Sequence, residues 1–240
     1  MLKLYGYASS NYFNMVKFAL LEKKIPFQSV LLHGCQSPAV MAISTRGKIP
    51  VLETSEGFLS ETDVILAYLD EVYPQHKLLP HNPFDKARVK ALAKEIELYI
   101  ELPARTCYVE VFFGGRPTPL ALKEKARRDL TKGFAALGQG AAFTPYIAGS
   151  TLSVADIYFL YSVDLARQVG LKLFKTDFLA DLPGAQALLA LLALNPNARK
   201  VAHDRAEDLP RFLAKLNGQG PGVGEPLPGQ GACQREASNA

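Results

Sequence analysis

Residues 44–62 read STRGKIPVLETSEGFLSET, and this stretch decides the fold. Ile49, Val51 and Leu52 make an apolar run interrupted by Pro50. Proline cannot donate to a strand ladder, so Pro50 belongs at the first residue of a strand or at an edge. The N–H and C=O of Ile49 are then available to a partner other than a neighbouring strand. Ser55, Glu56 and Gly57 read as the turn of a hairpin between strands at 51–53 and 57–59. Ser60, Glu61, Thr62 and Asp63 follow, ahead of Val64, Ile65, Tyr68 and Leu69 at helical spacing. A hydroxyl and two carboxylates thus stand where a strand ends and a helix begins. Such helix starts bind anions through unpaired N–H groups and the helix dipole.

Upstream, residues 2–5 alternate as a short strand, 6–11 (GYASSN) form a small-residue loop, and 12–21 carry an apolar helical face. Residues 25–32 read as a second strand, which predicts a right-handed βαβ unit. Residues 36–46 suit a short helix or loop, and 63–72 a helix that stops before Pro74. The order β-α-β, then β-β-α, within about eighty residues is that of thioredoxin-like domains.

Three segments together resemble the cytosolic glutathione transferases, of a serine-type, bacterial-like class. Ser9-Ser10-Asn11 lies ahead of the first helix. Gly47-Lys48-Ile49-Pro50-Val51-Leu52 resembles the family's GK(V/I)PxL segment with its cis-proline. Ser60-Glu61-Thr62 resembles its (Q/S)-E-S/T turn. The resemblance implies an α/β thioredoxin-like N-terminal domain followed by an all-α C-terminal domain, with glutathione as co-substrate and no metal.

The chemistry of the residues agrees with that implication. The cysteine of glutathione can pair with the backbone of Ile49 beside Pro50. Its γ-glutamyl carboxylate suits the N–H and hydroxyl of Thr62, its ammonium suits Glu61, and Lys48 can reach the carboxylate at the glycine end. The plainer roles are a cap for Thr62, a turn for Pro50 and a solvated lysine for Lys48. Three such coincidences are needed to explain Pro50, Glu61 and Thr62, whereas Lys48 alone fits either role.

A free thiol has a pKa of about 8.5, and lowering it by ~2 units takes about 2.7 kcal/mol of thiolate stabilisation. A hydroxyl at the start of the first helix supplies part of that. Counted against the family, Ser10 falls at the catalytic serine. Asn11, Ser9 and Tyr7 remain alternatives, and Ser10 can also serve as a helix cap. The loop has no cysteine, which disfavours thiol–disulfide exchange.

Residues 73–83 hold three prolines and read as a linker between domains at 1–79 and 80–216. Helices are expected at 85–113, bent at Pro103, and at 119–137, from Ser153 to 169, at 182–195, at 197–204 and at 209–216. Ser153 and Asp156 make a capping-box pattern within GSTLSVADI. This resembles a structural segment of the family's helical domain and is assigned no catalysis. Tyr7, Tyr12, Tyr108, Phe112 and Phe113 are candidates to line an acceptor pocket between the domains. Glu101 and Arg105 are placed near glutathione or a dimer interface. Residues 217–240, rich in Gly and Pro, are expected to be a disordered tail.

With 240 residues, 48% of them hydrophobic, the chain has enough apolar material for one large or two small domains. Residues 1–80 hold seven basic and seven acidic side chains, and 81–216 hold nineteen and fourteen. No basic stripe with interleaved aromatics is present, so nucleic acid is not expected as a partner. Three distant cysteines imply a reducing compartment. Met1 leads directly into a strand-like run and no apolar stretch suits a membrane, so a cytoplasmic location is expected.

The resemblance implies a homodimeric detoxification enzyme that conjugates glutathione to hydrophobic electrophiles. Two alternatives stay open. One is a zeta-like maleylacetoacetate isomerase, whose SSC motif the Ser9-Ser10 pair resembles with Asn11 in the cysteine's place. The other is a non-enzymatic interaction protein on the same fold.

Overall fold

Residues 1–216 are described by the computed structural model, and the expected disordered tail at 217–240 lies outside them. Strands β1 (Leu2–Gly6), β2 (Phe27–Leu31), β3 (Val51–Glu53) and β4 (Phe58–Ser60) form one sheet in the order β2-β1-β3-β4. The first two pair in parallel through helix α1 (Asn11–Glu22), as the βαβ reading requires. The other two pairings, β1 with β3 and β3 with β4, are antiparallel.

Alternation along these strands sends side chains to opposite faces. Leu2, Leu4 and Leu52 pack with Phe13, Val16 and Leu20 of α1 and with Ile65 and Leu69 of α3 (Thr62–Val72). Tyr5 and Val51 point the other way, against Leu32 and Val40, the latter on the short helix α2 (Pro38–Met41).

Two compact units are present among the described residues. One is Met1–His76 together with the chain from Lys200, and the other is Lys77–Arg199. The last helix was expected to belong wholly to the second domain, yet its residues from Lys200 group with the first unit.

In the second unit, the long helix expected at 85–113 is broken. Helix α4 (Pro83–Ile96) widens into a π-helical turn (Glu97–Glu101), then continues as α5 (Leu102–Arg105) and α6 (Tyr108–Phe112). Pro103 explains the irregularity, because it removes an N–H and its ring crowds the preceding turn. Helix α7 (Leu120–Gly140) packs on this turn at Gly133, where a Cβ would lie 2.4 Å from the Tyr99 carbonyl oxygen. Helices α8 (Val154–Val169) and α9 (Pro183–Ala193) follow. Ser153 and Asp156 form the expected capping box, and the Asp156 carboxylate also accepts from the Ile147 N–H at 2.8 Å. Burial pushes the Asp156 carboxyl up, against these hydrogen bonds.

The two final helices expected at 197–204 and 209–216 are one helix, α10 (Pro196–Leu216), which carries Pro210 inside it. Interior proline normally breaks a helix. Here side chains on both sides of Pro210 are anchored to the first unit, as described below. None of the described helices is long and apolar enough to cross a membrane.

Candidate active site

Val51 pairs with Ser60, so the next residues outward, Pro50 and Glu61, leave the sheet at the same end. Strand β3 lies between β1 and β4, so Pro50 is not on an edge strand. It stands just before the first residue of β3, and its peptide with Ile49 is cis. The ladder with β1 ends at Tyr5–Val51, which leaves Ile49 beyond it. Gly47 sets up this approach with φ +60°, and a Cβ there would lie 2.1 Å from the Cys35 carbonyl oxygen. Only glycine fits that combination. Lys48 follows, exposed, with its backbone N–H donated to Ser44 Oγ at 3.0 Å.

Glu61 occupies the N-cap of α3 with φ +69°. A left-handed conformation in a residue with a side chain costs on the order of 1–3 kcal/mol and persists where the surroundings enforce it, commonly at functional sites. Thr62 is the first helical residue rather than the cap, and it is buried. The plain capping role therefore does not account for Thr62. Its N–H belongs to the first turn, where backbone donors have no helical acceptor.

The loop before α1 brings two adjacent serines into different circumstances. Ser10 is the N-cap, and its Oγ accepts from the Phe13 N–H at 3.4 Å. Among the described residues that hydroxyl donates to no partner. Ser9 donates both its N–H (2.7 Å) and its Oγ–H (2.6 Å) to one oxygen of Asp208. Ser9 therefore has no proton left for a ligand while that pair is intact. The loop has two further ties. Ser10 N–H donates to the Tyr7 carbonyl at 3.0 Å, and the amide of buried Asn14 donates to the Ala8 carbonyl at 2.8 Å. Asn11 is the first residue of α1.

Tyr7 packs against His33 at a centroid distance of 4.7 Å and stacks on Phe212 of α10 at 5.1 Å. Burial holds the His33 imidazole below its ordinary pKa, the Lys215 charge adds to this, and Asp208 opposes it. Burial alone would raise the Asp204 carboxyl, but hydrogen bonds from Lys17 and Lys200 hold it below the usual range. The Lys17–Asp204 contact is 2.7 Å.

In the second unit, the carboxylate of fully buried Glu101 accepts from Arg105 Nε at 2.9 Å and from the Tyr108 hydroxyl at 2.6 Å. Tyr108 is only 5% exposed, which leaves little of its ring for a ligand. Its neighbour Phe112 meets it edge to face at 5.2 Å, and Phe113 lies 6.4 Å further along. Both are half-buried, as is Tyr12 in the first unit.

The family sequence model described as "Glutathione S-transferase, N-terminal domain" matches residues 4–77. A glutathione S-transferase of Pseudomonas putida (strain F1) is 54% identical over 216 residues, covering 90% of this chain and 98% of that protein. The chain belongs to the glutathione S-transferase family. A zeta-class glutathione S-transferase of Euphorbia esula is 33% identical over 164 residues, covering 65% of this chain and 72% of that protein. Among solved structures, maleyl pyruvate isomerase, a bacterial zeta-class glutathione S-transferase, superposes with a TM-score of 0.68 at 26% identity, covering 83% of this chain and 95% of that one.

In this transferase the residues expected at the glutathione site, Lys48, Ile49, Pro50, Glu61 and Thr62, all flank the same end of β3 and β4. The expected catalytic loop, Tyr7 to Asn11, precedes α1. Sequence reasoning missed Asp208 and Asn14. The spacing of Asp204, Asp208 and Phe212 puts them on one face of a helix, but the sequence pattern splits that stretch into two helices with a break after Asp204. Asn14 was hidden on a helix face that reads as apolar.

Proposed function

We propose that this glutathione transferase activates the glutathione thiol with the Ser10 hydroxyl and presents the thiolate to a hydrophobic electrophile. The observation that carries this is the contrast between the serines: Ser9 donates its hydroxyl hydrogen bond to Asp208, whereas the Ser10 oxygen only accepts. A donated O–H stabilises a thiolate more than a thiol, so it lowers the thiol pKa and raises the nucleophile's population at neutral pH. Asn11 and Tyr7 are the remaining donors.

In the same reading, Ile49 pairs its backbone with the cysteine of glutathione, and Thr62 takes the γ-glutamyl carboxylate. Glu61 pairs with the ammonium, and Lys48 with the glycine carboxylate. Tyr7, Tyr12, Phe112 and Tyr108 are the proposed aromatic contacts of the acceptor, with Tyr108 offering least. Residues 1–79 then serve as the glutathione-binding domain and 80–216 as the helical substrate domain, in a cytoplasmic enzyme of detoxification.

A homodimer is part of the proposal. A groove of about 770 Å³ runs between α7 and the α4–α5 segment, lined by Leu98, Tyr99, Leu102 and Leu122. These four side chains are 42 to 51% exposed in the single chain, an apolar surface that a second copy would cover. A zeta-type isomerisation is the second reading, favoured by the Euphorbia zeta-class relative and by the likeness to maleyl pyruvate isomerase.

The test is the thiol pKa of bound glutathione, read from thiolate absorbance, with conjugation to a generic aromatic electrophile measured alongside. Ser10→Ala is expected to raise that pKa and slow conjugation. An unchanged pKa would move the role to Asn11 or Tyr7. Turnover of maleylacetoacetate exceeding conjugation would establish the isomerase instead.

A further inference from the structure

Asp204, Asp208 and Phe212 recur every fourth residue, so they share one face of α10. That face lies along the start of α1 and the loop before it. Asp204 meets Lys17, Asp208 takes both donors of Ser9, and Phe212 stacks on Tyr7. The three contacts bracket Ser10 without touching it.

We propose that Asp208 is a positioning residue for thiol activation, acting on Ser10 through Ser9. This rests on the reading of Ser10 as the thiol-activating residue. Ser9 and Ser10 carry identical hydroxyls one residue apart, and only their surroundings distinguish them. A carboxylate that accepts from an N–H and an O–H of the same residue fixes both the backbone and the side chain of that residue. Hydrogen bonds to an ionised acceptor are shorter and stronger than neutral ones, in keeping with 2.7 and 2.6 Å here.

Fixing Ser9 has two consequences. It removes a competing hydroxyl, so that one serine alone is offered to the sulfur. It also sets the backbone from which Ser10 starts. Asn14 holds the Ala8 carbonyl, and the Tyr7 carbonyl holds the Ser10 N–H. Together with Asp208, these anchor every residue from Tyr7 to Ser10. Asp208 is the anchor supplied by a distant part of the chain, 199 residues from Ser9. His33 and Lys215 are the titratable neighbours whose interactions share this corner, since His33 feels the charges of both Asp208 and Lys215.

The sign of one measurement separates positioning from a through-space charge effect. A carboxylate near a thiolate disfavours the thiolate, so removing its charge alone would lower the thiol pKa. Loss of positioning does the reverse, because Ser10 no longer donates well. With glutathione bound, Asp208→Ala is expected to raise the thiol pKa by about one unit, a tenfold fall in the ratio of thiolate to thiol. It should cut kcat roughly tenfold to a hundredfold, as small misplacements of catalytic groups do, with a smaller change in KM. Asp208→Asn keeps an oxygen acceptor for Ser9 and should retain most of kcat, with a thiol pKa at or below that of the parent enzyme. Ser9→Ala added to Asp208→Ala should cost little more, since the two act as a unit.

Asp208→Ala with an unchanged or lowered thiol pKa would overturn the proposal. So would Asp208→Asn with a raised thiol pKa, and that variant alone decides the matter if the alanine variant does not fold. Ser10→Ala is measured in parallel. If it leaves the thiol pKa unchanged, the reading of Ser10 fails. If it raises the pKa while Asp208→Ala does not, only the positioning role fails.

Discussion

The Lys23 ammonium and the Asp70 carboxylate meet at 2.9 Å, with side chains 0% and 6% exposed. Lys23 lies at the C-terminal end of α1 and Asp70 on α3. The same ammonium reaches the carbonyls of Gln75 (3.4 Å) and His76 (3.1 Å), so it also fastens the chain where the first unit ends. Breaking a buried pair by removing one partner leaves an uncompensated charge and costs about 3–5 kcal/mol. Lys23→Met should lower stability by roughly that much in urea unfolding. A loss below about 1 kcal/mol would mean that Asp70 is well solvated without Lys23.

Asp156 accepts from the Ile147 N–H, the Ser153 N–H and the Ser153 hydroxyl at 2.7 to 2.8 Å. Asp156→Ala leaves those buried donors without an acceptor, at about 1–3 kcal/mol each before relaxation. Thermal unfolding should show a loss of roughly 3 kcal/mol or more, with activity of the remaining folded enzyme unchanged.

Thr62 is buried at the first position of α3, next to strained Glu61. Thr62→Val keeps the shape and removes the hydroxyl. If that hydroxyl binds the γ-glutamyl carboxylate, calorimetric titration should show glutathione binding weakened about tenfold or more, the equivalent of a hydrogen bond to a charged group. Unchanged affinity would remove Thr62 from the site.

The Tyr5 hydroxyl is pushed up to about 12, first by burial and then by its hydrogen bond to the Glu53 carboxylate and the charge of that group. Between pH 10 and about 12 the folded chain keeps this proton while the unfolded chain releases it. The contribution to stability is therefore complete below pH 10 and is lost as pH rises through about 12. Urea midpoints measured across that range should fall, and the fall should be shallower in Tyr5→Phe.

Tyr99 is 51% exposed and lines the groove between α7 and the α4–α5 segment. If a second copy covers that groove, Tyr99→Glu places a charge in the interface and should convert a dimer to a monomer by light scattering. A parent enzyme that is itself monomeric would exclude this use of the groove.

Much of the fold was legible because it rests on short-range signals. Pro50 cannot sit inside a ladder, and it stands at the start of β3. Alternation at Leu2, Leu4, Val51 and Leu52 separates the two faces of the sheet, and Ser153 with Asp156 marks a helix start within four residues. Other elements depart from their local preference because packing overrides it. Pro103 was expected to bend one long helix, but the chain widens into a π-helical turn and then breaks at Cys107. Pro210 was expected to lie within a short separate helix, but α10 runs through it.

The residues that resemble a glutathione site, from Lys48 to Pro50 and at Glu61 and Thr62, are determined by the sequence itself, because a hairpin of fixed register brings them to one end of the sheet. Within the sequence, the preference for Ser10 over Ser9 rests on a count against the family alone. Their side chains are the same and their positions adjacent, so residue chemistry does not separate them. The tertiary structure adds a physical difference, by bringing the Asp208 carboxylate to Ser9 and leaving the Ser10 hydroxyl to cap α1. A hydrogen bond across 199 residues depends on how the whole chain packs, and spacing along the sequence carries no trace of it.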